Sequence, residues 1–295
     1  MSKPTLGFIG LGLMGSAMVG RLQDKGYDVI ALANRDRTGI NAAIARGAVE
    51  AANGREVAEA SDIVMLCMGT SEHVESRMRG EDGVIAGLAD GKIVIDFGTS
   101  LPASTRALGA EVAAKGATML DAPLGRTPSH ARDGLLNIMG SGDKAAFDRV
   151  RPVLDDLGEN VFHLGDLGAG HTIKLINNFF GMTIATATSE AFAMCDVAGI
   201  PRESFYGVVA ARPNHARMID FVKGYAIDGD PAKLAFSTRN GLKDVSYYDQ
   251  MATEAGADSI MAKCAKTALS RAVEEGQGDK MVSQMVDTFA RWFKG

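Results

Sequence analysis

Leu6-Gly7-Phe8-Ile9, a short apolar run near the start of the chain, leads directly into Gly10-Leu11-Gly12-Leu13-Met14-Gly15. No other junction in the sequence restricts the fold as much. The run reads as a buried strand, the segment from Ser16 to Gln23 as a helix ending around Lys25-Gly26, and Asp28 to Ala33 as a second strand. Three glycines spaced G-x-G-x-x-G mean little alone. Between a strand and a helix, the first permits a tight turn, the second admits a pyrophosphate to the backbone, and the third lets helix pack close on strand. Free N–H groups and the positive dipole end of the helix then face the phosphates. Gly10, Gly12 and Gly15, with Leu13 and Met14 between them, are candidate cofactor-binding residues.

The residue ending the second strand discriminates between dinucleotides. An acid there hydrogen-bonds the ribose 2′-hydroxyl of NAD, whereas a basic residue accommodates the 2′-phosphate of NADP. The run is Asn34-Arg35-Asp36-Arg37. Asn34 stands where the acid is expected, and Arg35 can lie against adenine while pairing with the phosphate. Asp36 argues the other way. The balance favours NADP over NAD.

Alternation continues beyond this point. A helix over Arg37 to Arg46 precedes a short strand near Ala48, and strands follow at Asp62 to Met68, Ile93 to Phe97 and Thr118 to Leu120, with helices at Ser71 to Met78 and Pro102 to Lys115 between them. Strands apolar throughout and separated by helices predict a parallel sheet covered on both faces, an α/β Rossmann domain whose ligands sit beyond the carboxyl ends of the strands. Met68-Gly69-Thr70, Gly98-Thr99-Ser100 and Asp121-Ala122-Pro123 are the polar or glycine-rich ends that converge there. An amphipathic helix from Asp143 to Leu157 and a strand from Asn160 to Leu164 close this domain, giving a boundary of 1–166 and 167–295 at the linker-like stretch Gly165 to Gly170.

Beyond it no strand pattern recurs. Gly168 to Asn178 opens a long run of apolar and small residues (Phe179 to Ala198) that reads as a helix of five or more turns. Helices are also read at Glu190 to Val197, Arg202 to Ala211, Arg217 to Gly224, Arg239 to Ala255 and Ala257 to Glu275. The amphipathic end, Ser283 to Lys294, places Met285, Phe289, Trp292 and Phe293 in a helical core. His171, Lys174 and Asn178 fall on one helix face. They are either solvated polar residues at a helix start or groups in a cleft that handle a substrate.

The 295 residues are 46% hydrophobic with a net charge of -5, which gives no footprint for a nucleic-acid or anionic-membrane partner. Cys67, Cys195 and Cys264 lack metal spacing and, being odd in number, suit a reducing compartment better than a disulfide framework. The start shows neither a signal peptide nor a membrane span, so a cytoplasmic protein without a metal site is expected.

From Asp121-Ala122-Pro123-Leu124-Gly125-Arg126-Thr127, through Asp133-Gly134 and Ile138-Met139-Gly140, the chain resembles the β-hydroxyacid dehydrogenases, the 3-hydroxyisobutyrate dehydrogenase superfamily. The resemblance extends to the Gly10–Gly15 loop, the Asp96 to Ser100 strand end, the Gly170 to Asn178 helix start, and Lys243-Asp244. It implies a nicotinamide-dependent oxidoreductase with an all-α second domain joined through one long helix, an active site between the domains, and a homodimer or homotetramer. By the same resemblance Lys174 is the catalytic lysine, and Asn178 orients it and the substrate. Lys243 contacts the nicotinamide ribose and substrate, Thr99 lies near the nicotinamide, and Met68-Gly69 replaces the family's Leu-Pro. Lys243 with Asp244 also reads as an exposed helical ion pair.

The departure lies in the substrate loop. The family usually reads Asp-x-Pro-Val-Ser-Gly-Gly, and here its last three residues are Gly125, Arg126 and Thr127. An arginine adds an always-charged fork suited to anions. Gly-Arg-Thr at this point is similar to the family's sulfolactaldehyde reductase branch. Three readings stay open: Arg126 recognises a sulfonate, it recognises another small anion such as a tartronate, hydroxyisobutyrate or succinic semialdehyde carboxylate, or it pairs with Asp121 or Asp133 and shapes the loop. Imine reduction and a non-catalytic nucleotide-binding module are alternatives that Lys174 with Asn178 argue against.

Overall fold

A computed structural model describes residues 3–33, 36–212 and 216–294. It divides into two compact units, Met1–Lys174 and Leu175–Gly295.

The first unit runs β1 (Leu6–Ile9), α1 (Leu13–Asp24), β2 (Val29–Leu32), α2 (Thr38–Ile44), β3 (Val49–Ala51), α3 (Gly54–Ala60), β4 (Ile63–Leu66), α4 (Ser71–Met78), β5 (Ile93–Asp96), α5 (Pro102–Ala113) and β6 (Thr118–Asp121). It continues with β7 (Leu124–Gly125), α6 (Pro128–Asp133), β8 (Leu136–Gly142), α7 (Lys144–Leu157) and β9 (Gly158–His163). The strand order is β3-β2-β1-β4-β5-β6-β8-β7, with β9 beside β8. β1 to β6 pair in parallel, β8 is antiparallel to β6 and β7, and β9 is parallel to β8. The 3-2-1-4-5-6 core is the Rossmann order.

Successive strand residues point to opposite faces, and in the central strands β1, β4 and β5 both faces are dry. Phe8, Met65 and Ile95 pack under α1 and α7 beside Met18, Phe147 and Leu154. Ile9, Leu66 and Val94 pack on the other side with Val57, Val74 and Val112 of α3, α4 and α5. This two-sided burial explains why these strands lack polar alternation.

The structure adds four elements that periodicity did not show: α3, β7, α6 and β8. The six- and seven-residue helices are too short to build a 3.6-residue pattern, and β8 ends in Gly140-Ser141-Gly142, which carries no strand signature. The first helix begins at Leu13 rather than Ser16, because Gly12 is its N-cap.

A continuous 30-residue helix, α8 (Ala169–Ala198), begins in the first unit and runs into the second, absorbing the separate helix expected at Glu190 to Val197. The second unit continues with α9 (Arg202–Ala210), α10 (Arg217–Ala226), α11 (Thr238–Glu254), α12 (Ile260–Ala272) and α13 (Met285–Lys294). Its cores gather Met182, Phe192, Val222, Val245 and Leu269, and separately Met285, Phe289 and Ala193 with Trp292 against them. Phe293, expected inside, is 36% exposed at the edge of that second cluster. No helix among the described residues is long and apolar enough to cross a membrane.

Candidate active site

At the carboxyl end of β1 the three loop glycines have distinct surroundings. Gly10 adopts φ +104°, and a Cβ there would stand 2.3 Å from the Cys67 carbonyl oxygen. A Cβ on Gly15 would stand 1.9 Å from the carbonyl oxygen of Gly10. Around Gly12 nothing lies within 4 Å of that position, so the α1 N-terminus opens onto free space. Leu13 is 85% exposed beside it, and Met14 packs partly into the core. This is a cradle in which backbone N–H groups can meet a diphosphate, and the residues fit a dinucleotide.

Two cavities flank the end of β2. One of about 600 Å³ is lined by Gly12, Leu13, Ser16, Asp36, Thr38 and Arg132 among others, and one of about 570 Å³ by residues including Leu32, Ala33, Asn53 and Arg77. Asn34 and Arg35 lie outside the described residues. Asp36 accepts the Thr38 N–H at 2.9 Å, and this bond holds its carboxyl below the usual range. Arg37 makes a bidentate pair with Glu50 at 3.0 and 2.8 Å. Thr38 and Arg132 come to the cofactor loop by folding alone. Nothing in the sequence near them marks that position.

β4, β5 and β6 are neighbours, so their carboxyl ends lie side by side. Met68 and Gly69 follow β4 and lead to Thr70, whose Oγ1 accepts the His73 N–H at 3.2 Å and opens α4. After β5, Asp96 accepts the Gly98 N–H at 2.8 Å and the Ser100 hydroxyl at 2.7 Å, which shapes the turn carrying half-buried Thr99. After β6, Asp121 behaves differently from the other strand ends. It is fully buried and points into the start of α8, accepting the N–H groups of Gly168 and His171, each at 2.7 Å, and the Ser141 hydroxyl. It caps a helix instead of facing the ligand crevice.

His171 is likewise fully buried, against the expectation that it shares an accessible face with Lys174 and Asn178. Lys174, one turn further on, is half-buried. In the second unit, Asn178 Nδ2 donates to Asp244 Oδ2 at 2.5 Å, and Lys243 Nζ lies 3.0 Å from Asp244 Oδ1 and 5.4 Å from the Tyr247 ring centre. Asp244 is buried, so Lys243 and Asp244 are not a merely exposed ion pair.

In the segment expected to hold substrate, Gly125 pairs with Asn137 in the β7–β8 ladder. Thr127 Oγ1 shares hydrogen bonds of 2.7 Å with Ser129 and His130. Arg126 is the one non-glycine among the described residues with positive φ, at 77°. Its Nη1 donates to the Leu135 carbonyl at 2.6 Å and lies 2.5 Å from Glu159 Oε2. Its acidic partner is therefore Glu159, a β9 residue, and not Asp121 or Asp133.

Residues 5–165 match the family model described as the NAD binding domain of 6-phosphogluconate dehydrogenase, and residues 168–289 that of the NAD-binding domain of NADP-dependent 3-hydroxyisobutyrate dehydrogenase. The chain is 30% identical over 247 residues to 2-(hydroxymethyl)glutarate dehydrogenase of Eubacterium barkeri, covering 80% of this chain and 82% of that protein. It is 31% identical over 196 residues to 3-sulfolactaldehyde reductase of Escherichia coli, covering 66% of this chain and 65% of the reductase, just under two thirds of the latter's length. Among solved structures, 3-hydroxyisobutyrate dehydrogenase from Salmonella typhimurium superposes with a TM-score of 0.83 at 26% identity, over 97% of this chain and 100% of the other.

Proposed function

The chain belongs to the β-hydroxyacid dehydrogenase superfamily and is an NAD(P)-dependent oxidoreductase, and we propose that it reduces a small aldehyde bearing a terminal anion. 3-Sulfolactaldehyde is the first candidate and NADP the preferred cofactor. The observation that carries this reading is Arg126. A non-glycine side chain held at φ 77° costs on the order of 1 kcal/mol, and strain of that kind collects at ligand-binding positions.

Bound nicotinamide supplies the hydride. Lys174 gives a proton to the carbonyl oxygen as the carbon is reduced, or takes it back in the reverse direction. Asn178 donates its second Nδ2 hydrogen to that oxygen or accepts the neighbouring hydroxyl with Oδ1, and Lys243 adds a second cation to the same substrate. Gly125, Arg126 and Thr127 bind the far end of the substrate, where the guanidinium Nε–Nη2 edge matches two oxygens of a tetrahedral anion. The NADP preference is supported by Asn34 and Arg35 in sequence and by Asp36 being turned into the α2 N-terminus. The large exposed apolar side chains of α8, Phe180 and Met194 among them, support a homo-oligomer.

The test is turnover of sulfolactaldehyde, tartronate semialdehyde and succinic semialdehyde with NADPH and NADH, for wild type, Arg126→Ala and Arg35→Ala. Sulfonate turnover that collapses in Arg126→Ala, and NADPH binding weakened more than NADH in Arg35→Ala, is expected. A carboxylate preference untouched by Arg126→Ala overturns the sulfonate reading and leaves the family intact.

A further inference from the structure

Three titratable side chains that the proposed chemistry does not use lie together inside the first unit. Asp96, Asp121 and His171 are exposed by 1%, 0% and 0%. His171 Nε2 is 3.7 Å from Asp96 Oδ2, and Nδ1 is 3.8 Å from Asp121 Oδ2. Nδ1 also lies 2.8 Å from Thr105 Oγ1. That hydroxyl also lies 3.1 Å from the Leu101 carbonyl oxygen, so it bridges the start of α5 and the His171 ring.

The first turn of α8 is tied to the sheet through Asp121 and Ser141. Asp121 accepts the N–H of His171 in that turn and the N–H of Gly168 just before it, and Ser141 Oγ accepts that of Gly170, at 2.9 Å. Gly170 itself is required by the approach: a Cβ would stand 2.1 Å from the Met139 carbonyl oxygen and 2.8 Å from Asp121 Oδ2. His171 then reaches across to α5 through Thr105. Helix N-termini normally satisfy these orphan donors with a local cap or water. Here a carboxylate from the end of β6 does so, which fixes the helix to the strand that precedes the substrate loop.

We propose that Asp121, with Ser141 and His171, is a positioning device for Lys174: it sets the depth and rotation of the first turn of α8, and Lys174 sits one turn beyond His171. The proposal rests on the reading of Lys174 as the proton-transfer residue. Displacement of a catalytic group by about 1 Å is enough to lose ~100-fold in rate.

A double-mutant cycle in turnover tests it, with cofactor affinity read separately by quenching of intrinsic fluorescence. Asp121→Asn replaces one acceptor oxygen by a donor facing helix N–H groups, and should lower kcat by about tenfold or more with dinucleotide affinity within about twofold. Ser141→Ala, the milder variant should Asp121→Asn not fold, should lower kcat by a smaller factor in the same way. Both changes should be nearly silent in a Lys174→Ala background, because they act through that lysine. The same fractional loss in both backgrounds, or no loss in either variant, overturns the proposal while leaving Lys174 in place. Full turnover by Lys174→Ala overturns both readings.

Discussion

Asn178 Nδ2 donates to Asp244 Oδ2 at 2.5 Å, and this bond fixes which way the amide faces. An ionised carboxylate only accepts, so the amide nitrogen lies toward Asp244 and the oxygen away from it. The other oxygen of Asp244 stands 3.0 Å from Lys243 Nζ. One buried carboxylate on α11 thus orients an amide from α8 and an ammionium from its own helix.

Replacing Asp244 by alanine leaves the Asn178 amide without its acceptor in a half-buried position, which destabilises by about 1–3 kcal/mol. Asp244→Asn keeps the volume but loses the charge that holds Lys243. Urea midpoints should fall for both, more for alanine, and kcat should fall with them. Turnover unchanged in both variants would remove Asn178 and Lys243 from the reacting centre.

Arg126 gives a prediction whose sign follows from backbone geometry. At φ 77° a Cβ is unfavourable by ~1 kcal/mol, so Arg126→Gly relieves strain while losing the Glu159 pair and the bond to the Leu135 carbonyl, both of which Arg126→Ala also loses. That pair is partly exposed and contributes only about 0–1 kcal/mol. Arg126→Ala loses the pair and keeps the strain. Both variants lose the same contacts, so thermal melts should rank glycine above alanine. Alanine melting above glycine would mean that the loop relaxes out of the left-handed region.

Glu159 competes for the guanidinium that the proposed function assigns to the substrate anion. Glu159→Gln removes the competing charge 2.5 Å from Nη1. The KM for an anionic aldehyde should drop severalfold, while that of an uncharged aldehyde of similar size stays put. Equal changes for the two would show that Arg126 does not read charge.

The sequence displayed the sheet and the cofactor loop because their causes are local. β1 and α1 with the glycines between them form one contiguous segment, and dry strands such as Ile63–Leu66 need only apolar residues in a row. α8 is legible in its small-residue run, and the candidates Lys174 and Asn178 stand in a motif of fixed spacing. The supports of those residues are not legible. Asp121 meets partners 20, 47 and 50 residues away, and Asn178 meets Asp244 66 residues on, distances over which a single sequence carries no register. Proximity in sequence offers Asp121 and Asp133 as acidic partners of Arg126. The pairing of β8 with β9 instead brings Glu159 beside the loop.

Tyr27 predicts how stability responds to alkali. Its hydroxyl donates to Asp156 Oδ2 at 3.0 Å, and Lys25 pairs with the same carboxylate at 3.1 Å. Burial first, and then Asp156, push the phenol from 10.0 up to about 12. The folded state therefore holds this proton where the unfolded chain has released it. The stabilisation is complete below pH 10 and is lost as pH rises through about 12, a span worth roughly 2–3 kcal/mol. Tyr27→Phe removes the titrating group, so urea-derived stability measured from pH 9 to 11.5 should fall less steeply in the variant than in wild type. Parallel slopes would mean that the Tyr27 proton is released as readily in the folded protein as in the unfolded chain.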